Sequence, residues 1–296
     1  MVTVWIGGGL GNQMFMCAYA FVLKKRGYKV ALDVETFFEF QQNKKLKTKK
    51  TLIRDNGLSN FNIDIPYVMP NMTILKYIIG TEKINIIEKF VKKSNIYSIY
   101  EWDNSTYADK YLYEMISVNK NSYVKGYFQS EKFFKKYKKD IYEMFQLKND
   151  IGFPQEFLKK RNKELPLVSI HFRRTDYKYE NELYILDFDY YKSAIQYLQK
   201  RIGKFDICIF SDDYKWIKSN FKIEGYNILY PADYGKYKDY EEMVLMSRCN
   251  HNIIANSTFS WWGAWLNKNV NKIVIAPKKW MKSRKYEIIP DEWVKL

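Results

Sequence analysis

The sequence predicts an α/β protein of two doubly wound, Rossmann-type domains whose parallel sheets face one another across a central cleft. Three observations carry this expectation. Short apolar strand patterns alternate with helical ones in both halves of the chain. A breaker-rich stretch at residues 149–154 separates the halves. The length of 296 residues, 47% of them hydrophobic, is long for one ordinary core and suits two.

The elements follow in order. Residues 2–6 read as a short buried strand, Gly7 to Gln13 as a turn, residues 14–26 as an apolar helix stopped by Gly27, and residues 30–34 as the next strand. This βαβ opening is the unit from which parallel sheets are built. The run at 41–50 is polar and lysine-rich and reads as a solvated loop; 70–125 is mixed helical and irregular; 131–145 reads as a helix. Beyond the junction, strands are expected at 167–172, 206–210, 252–255 and 273–276, with helices at 188–201 and 239–248 and another starting near Ser260. The domains are accordingly set at 1–150 and 151–296, with the last helix a candidate to cross back to the first domain. In such sheets ligands sit at the carboxyl ends of the strands.

Composition narrows the function classes. A net charge of +16 favours anionic partners, whether nucleic acid, a membrane surface or phosphorylated substrates. It is equally consistent with a lysine-rich solvated surface. No basic–aromatic recognition module is visible, and the one arginine pair lies at a strand end rather than along a basic helix, which argues against nucleic acid. Cys17, Cys208 and Cys249 are isolated and odd in number, which disfavours a disulfide framework or a zinc site and suggests a reducing compartment. Two histidines cannot build a multi-histidine metal centre. There is no run of ~18 apolar residues and no basic leader ahead of the first strand. The expectation is a cytoplasmic protein. Tyr123, Tyr127, Phe133, Phe134 and Tyr137 among lysines could touch a membrane, but core and rim packing is the simpler use.

Four segments carry chemistry. In the Gly7–Gln13 turn, free backbone N–H groups at a helix start make an anion site. Asn12 and Gln13 add amides suited to hydroxyls or phosphate, unless Asn12 merely caps the helix. At 167–177 an apolar strand runs into Arg173 and Arg174. One guanidinium could grip a diphosphate bidentately while the other pairs with Asp176 and holds the loop, or the arginines could form a surface ion pair. At 210–213, Ser211, Asp212 and Asp213 end a strand, where a carboxylate could accept from ribose or guanine, cap a helix, or bind metal as a DxD pattern. With arginine charge already at hand, a metal-free site is favoured. At 256–263, Ser257, Thr258 and Ser260 could bond phosphate together with helix N-terminal amides, while Trp261 and Trp262 read as packing.

Taken together, GLGNQMF at 9–15, HFRRTDY at 171–177, FSDD at 210–213 and NSTFSWWGAWLN at 256–267 resemble the bacterial α1,2-fucosyltransferases of glycosyltransferase family 11. The resemblance implies a GT-B-like fold, an inverting mechanism, GDP-fucose as donor, a galactose-terminated glycan as acceptor, and no cofactor or metal. It places the acceptor on the side of domain 1–150 and the donor in 151–296. It further implies that Arg173 contacts the donor β-phosphate. Beside it, Arg174 is expected to organise the loop that presents Asp176, the first candidate for the base or acceptor-orienting group. His171 would lie near the guanosine, Asp212 at the nucleoside, and Asn256, Ser257, Thr258, Phe259 and Ser260 along the diphosphate. Gly9, Asn12 and Gln13 would face the cleft, and Ser211 and Tyr177 would line the donor site. Peripheral contact with the inner face of a membrane bearing a lipid-linked acceptor would suit the charge.

Overall fold

A computed structural model describes residues 1–34, 56–68, 98–102 as main chain, 121–179, 182–282 and 287–296. The lysine-rich run at 41–50 and most of the segment 70–125 lie outside the described residues. The chain forms two compact units, Met1–Lys148 and Asn149–Leu296, each with its own parallel sheet.

In the first unit, β1 (Val2–Trp5) lies beside β2 (Val30–Asp33) and β4 (Ser122–Gly126), and β3 (Ser98–Trp102) pairs with β4, giving the order β2-β1-β4-β3. Helix α1 (Leu10–Lys25) crosses from β1 to β2. It starts four residues before the expected Met14, because Gly9 in an extended conformation is its N-cap. Asn12 is therefore inside the first turn and is not the cap. Met14 to Ala20 are all buried, the signature of a helix covered on every side. Its end is a left-handed Gly27 at φ +89°, with Tyr28 N–H returning to Leu23 C=O.

Of the expected helix at 131–145, the first half forms two 3₁₀ turns, Glu131–Phe133 and Lys135–Tyr137, and the second half is α2 (Lys138–Met144). Buried Phe133 and Phe134 pack against Tyr19 and Phe15, and that packing outweighs local helical propensity.

Gly8 has φ +74°, and a Cβ there would come within 2.9 Å of Asn12 Nδ2. The side-chain end of Asn12 can give way, but the backbone conformation cannot be relieved. Gly8→Ala is expected to cost about 1–2 kcal/mol, read as a lowered midpoint in denaturant with an unchanged slope.

In the second unit α3 (Gln155–Lys160) leads into β5 (Leu167–Phe172), followed by α4 (Phe188–Ile202), β6 (Asp206–Ser211), α5 (Tyr214–Asn220) and β7 (Ile228–Leu229). Then come α6 (Asp239–Ser247), β8 (His251–Ile253), α7 (Thr258–Trp265), β9 (Val274–Ala276) and β10 (Val294–Lys295). The sheet order is β10-β9-β8-β5-β6-β7. Both β5 and β6 are buried along their whole length, as strands covered on both faces must be. The core joins Val168, Ile170 and Phe172 of β5 to Tyr191, Ile195 and Leu198 of α4. Asp187 caps α4 by accepting from Tyr190 N–H, and Gly203 at φ +74° ends it.

Trp261, Trp262 and Trp265 are buried and pack on one another, so these tryptophans build the domain. The last described residues, β10, form an edge strand of this same sheet. All three cysteines are free and buried.

Candidate active site

Read from β5 outward, the second sheet runs β5, β6, β7 one way and β8, β9, β10 the other. That is the doubly wound order with its topological switch between β5 and β8, where ligands of open parallel sheets bind beyond the carboxyl ends. The three chemistry-bearing segments of this unit leave adjacent strands at that end: 171–177 from β5, 211–213 from β6 and 254–260 from β8.

Arg173 is the centre of the arrangement. Its Nε and Nη2 donate to the two oxygens of Asp176 at 2.8 and 2.6 Å, a side-on bidentate pair, and Nε also lies 3.3 Å from Asp212 Oδ2. Asp212 is tied down in turn: it accepts from Arg174 N–H at 2.9 Å, Thr175 N–H at 3.0 Å and Thr175 Oγ1 at 2.6 Å. The guanidinium side chain is 15% exposed, so these charges act in a partly desolvated setting.

Arg174 does not organise Asp176, contrary to the expected division of labour. Its guanidinium lies over the Trp216 ring, and its Nε reaches Asp213 at 3.4 Å. The reason is the backbone turn at Thr175, which brings residue 176 back under residue 173 and sends residue 174 towards α5. Asp213 also caps α5, accepting from Trp216 N–H, and Ser211 Oγ accepts from Asp213 N–H. Beside this stack a cavity of about 310 Å³ is lined by Phe172, Arg174, Leu186, Phe188, Tyr191 and Trp216.

On the other side of β5, Tyr177 O–H donates to Asn256 C=O at 2.7 Å and couples the β5 and β8 loops. Burial pushes the Tyr177 phenol up, so it remains a hydrogen-bond donor. His171 is 2% exposed, with its ring 5.4 Å from that of Phe259. Burial, helped by Arg173, lowers its pKa to about 3, so the imidazole is neutral. Its Nδ1 has no partner among the described residues.

Asn256 Nδ2 donates to Tyr184 C=O and Trp280 C=O, each at 3.2 Å. Ser257 is the N-cap residue of α7, and Thr258 and Phe259 open the helix. Ser260 is fully buried, and its hydroxyl turns to Ala255 C=O and Ser257 C=O rather than outward.

The first unit gathers its own candidates at the carboxyl end of β1. Gln13 is fully buried; its Nε2 donates to Gly8 C=O at 2.9 Å and its Oε1 accepts from Gly57 N–H at 3.1 Å. The amide expected to face the cleft thus ties the glycine turn to a neighbouring loop. Asn12 is half-buried and accepts from Gln129 Nε2 at 2.8 Å. Phe128, next to Gln129, is held at φ +48° and stacks on Tyr19, a strained backbone at the same end of the sheet. Gly9 leads into the α1 N-terminus, where Asn12 and Gln13 N–H groups bond its carbonyl.

A family model, Glycosyl transferase family 11, matches residues 1–296. The chain belongs to glycosyltransferase family 11.

Two relatives from Escherichia coli align along nearly the whole chain. The O-antigen biosynthesis glycosyltransferase WbnK is 31% identical over 314 residues, covering 98% of this chain and 99% of that protein. An alpha-1,2-colitosyltransferase is 30% identical, covering 100% and 99%. Galactoside alpha-(1,2)-fucosyltransferase 1 of Bos taurus matches over 103 residues at 25%, covering 33% of this chain and 29% of that protein. Among solved structures, fucosyltransferase NodZ from Bradyrhizobium aligns with a TM-score of 0.46 at 10% identity, covering 88% of this chain and 90% of that one. Family membership and the two full-length relatives make the protein a glycosyltransferase.

The family 11 enzyme also holds an acid that the sequence did not single out. Glu242, in the first turn of α6, accepts from Tyr214 O–H at 2.9 Å. Burial, with repulsion from Asp239 and Asp212, raises its pKa from 4.5 to about 7. In the sequence it hides beside Asp239 and Glu241, in an acidic first turn that any helix N-terminus favours.

The raised carboxyl pKa of Glu242 ties its protonated form to the folded state. The folded protein holds this proton more tightly than the unfolded chain, so the contribution is complete below about pH 4.5 and lost as pH rises through about 7, amounting to at most about 3 kcal/mol. Glu242→Gln is expected to flatten the fall of Tm between pH 5 and 8; an unchanged pH profile would contradict this.

Proposed function

We propose that this family 11 glycosyltransferase transfers L-fucose from GDP-fucose to the 2-hydroxyl of a terminal galactose, with inversion, giving an α1,2-fucoside. The observation that carries it is the guanidinium of Arg173 at the carboxyl end of β5, beside the switch point and the start of α7. Breaking a sugar–diphosphate bond loads negative charge on the leaving group as the sugar becomes oxocarbenium-like. A fixed cation and helix-start N–H groups at that place are what such a step requires.

In this reading Arg173 holds the β-phosphate and Asp176 takes the acceptor proton, with Tyr177, Asn256, Ser257 and Thr258 shaping the donor loop. Neutral His171 and Phe259 lie beside it, near the guanosine. Inversion needs one displacement, with the acceptor hydroxyl attacking C1 from the face opposite GDP. No metal is required, since arginine supplies the charge; turnover undiminished in EDTA would agree, and loss restored by Mg²⁺ or Mn²⁺ would not. No helix of the described residues is long and apolar enough to cross a membrane. A cytoplasmic enzyme with peripheral contact to a membrane-borne acceptor fits the positive charge.

A second reading of the donor sugar has its own support. One relative along the whole chain is an alpha-1,2-colitosyltransferase, so a dideoxy sugar is a rival to fucose. The test offers GDP-fucose and GDP-colitose in parallel with lactose and N-acetyllactosamine, and maps the product linkage by NMR. An α1,2-fucosyl galactoside is the expected product. Transfer of colitose alone would replace the donor, and a linkage to another hydroxyl would replace the acceptor position.

A further inference from the structure

The side-on edge of Arg173, Nε with Nη2, is fully engaged by Asp176. A guanidinium that grips a diphosphate bidentately in the same manner uses that same edge. Two anions therefore compete for one pair of N–H groups. Asp212 makes an exchange feasible: its Oδ2 already lies 3.3 Å from Arg173 Nε, and its carboxylate is fixed by Arg174 N–H, Thr175 N–H and Thr175 Oγ1. Arg173 would keep one carboxylate when it gives up the other, so its position survives the swap. Asp176 sits on a short turn, Asp176–Lys178, with its side chain 24% exposed, and Tyr177 pins the turn to Asn256 C=O.

We propose that the donor β-phosphate displaces Asp176 from Arg173, and that the carboxylate so released becomes the base for the acceptor hydroxyl. The base is thereby armed only when donor is bound. In the step that follows, the acceptor oxygen forms its bond to C1, and the bond from C1 to the β-phosphate oxygen breaks with its electron pair leaving on GDP. The acceptor proton passes to Asp176 and from there to solvent. Asp212 is the positioning residue that holds Arg173 throughout. The exchange rests on the donor reading above, because it needs a diphosphate at Arg173.

The test measures binding of GDP, GMP and inorganic pyrophosphate to wild type, Asp176→Asn and Asp176→Ser by titration calorimetry. It is accompanied by thermal melts and by kcat for GDP-fucose transfer. Removing the competing charge is expected to tighten GDP and pyrophosphate about 5–10-fold while leaving GMP, which lacks the β-phosphate, unchanged. At the same time kcat is expected to fall by about 10²–10⁴-fold, the usual worth of a general base. GDP and pyrophosphate binding that is unchanged or weaker in both folded variants would overturn the exchange, since the phosphate would then use another edge of Arg173. Retained kcat would overturn the base. Failure of the nucleotide reading shows separately, as GDP binding no tighter than pyrophosphate in the wild type, and the pyrophosphate comparison still decides the exchange.

Discussion

Arg173→Ala is expected to lower kcat for sugar transfer by about 10³-fold or more, with a smaller effect on acceptor KM. Removal of a single preorganised donor from a site of developing negative charge typically costs 10²–10³-fold, and Arg173 would supply two such donors together with a full charge. Arg173→Lys separates charge from geometry. Lysine keeps the charge but loses the planar fork, so most of the loss should persist. Steady-state rates with GDP-fucose, or with whichever donor proves active, read the result. Near-normal turnover in the alanine variant would remove Arg173 from the phosphate. A thermal melt belongs beside the rates, because the alanine variant leaves Asp176 and Asp212 facing one another across the space the cation held.

Asp212 should be nearly as sensitive, for a different reason. Its carboxylate accepts three hydrogen bonds from residues 174 and 175 and stands 3.3 Å from Arg173. Asn offers one acceptor oxygen and turns an NH₂ towards groups that are themselves donors. Asp212→Asn is expected to cost about 2–4 kcal/mol in stability, and transfer should fall at least 10²-fold because Arg173 loses its support. Chemical denaturation and kcat together check this. A stable variant with normal kcat would show that the β5 loop holds its shape without Asp212.

As a residue type at a strand end, Asp212 suits reading a nucleoside or, together with Asp213, binding a metal. Tertiary contacts spend its acceptors on the neighbouring loop, and Asp213 takes the helix cap.

The strands of the second unit were legible because each is a short apolar run bounded by polar loops, and burial on both faces leaves no ambiguity of period. Helix α1 was legible in kind, but its start was misplaced, since a glycine turn gives no side-chain cap to read. The segment 131–145 was legible as a helix only over Lys138–Met144, because long-range aromatic packing of Phe133 and Phe134, invisible to local periodicity, breaks its first half into 3₁₀ turns. Gln13 shows the same limit: its type suited a ligand, and only the approach of Gly57 from a distant loop reveals an amide that joins two pieces of backbone. Glu242 was hidden by composition and emerges through the burial that raises its pKa.

The sequence by itself determined the fold class, the family and the four segments that carry chemistry, because strand patterns and residue runs of that specificity are local properties. The tertiary structure alone decided which partner each charged side chain takes. On an extended strand Arg173 and Arg174 point to opposite sides, but the turn at Thr175 returns Asp176 to Arg173, and α5 delivers Trp216 and Asp213 to Arg174. Ion pairing depends on where the backbone turns and on which neighbouring strand end arrives beside it, and neither is written in the spacing of the residues.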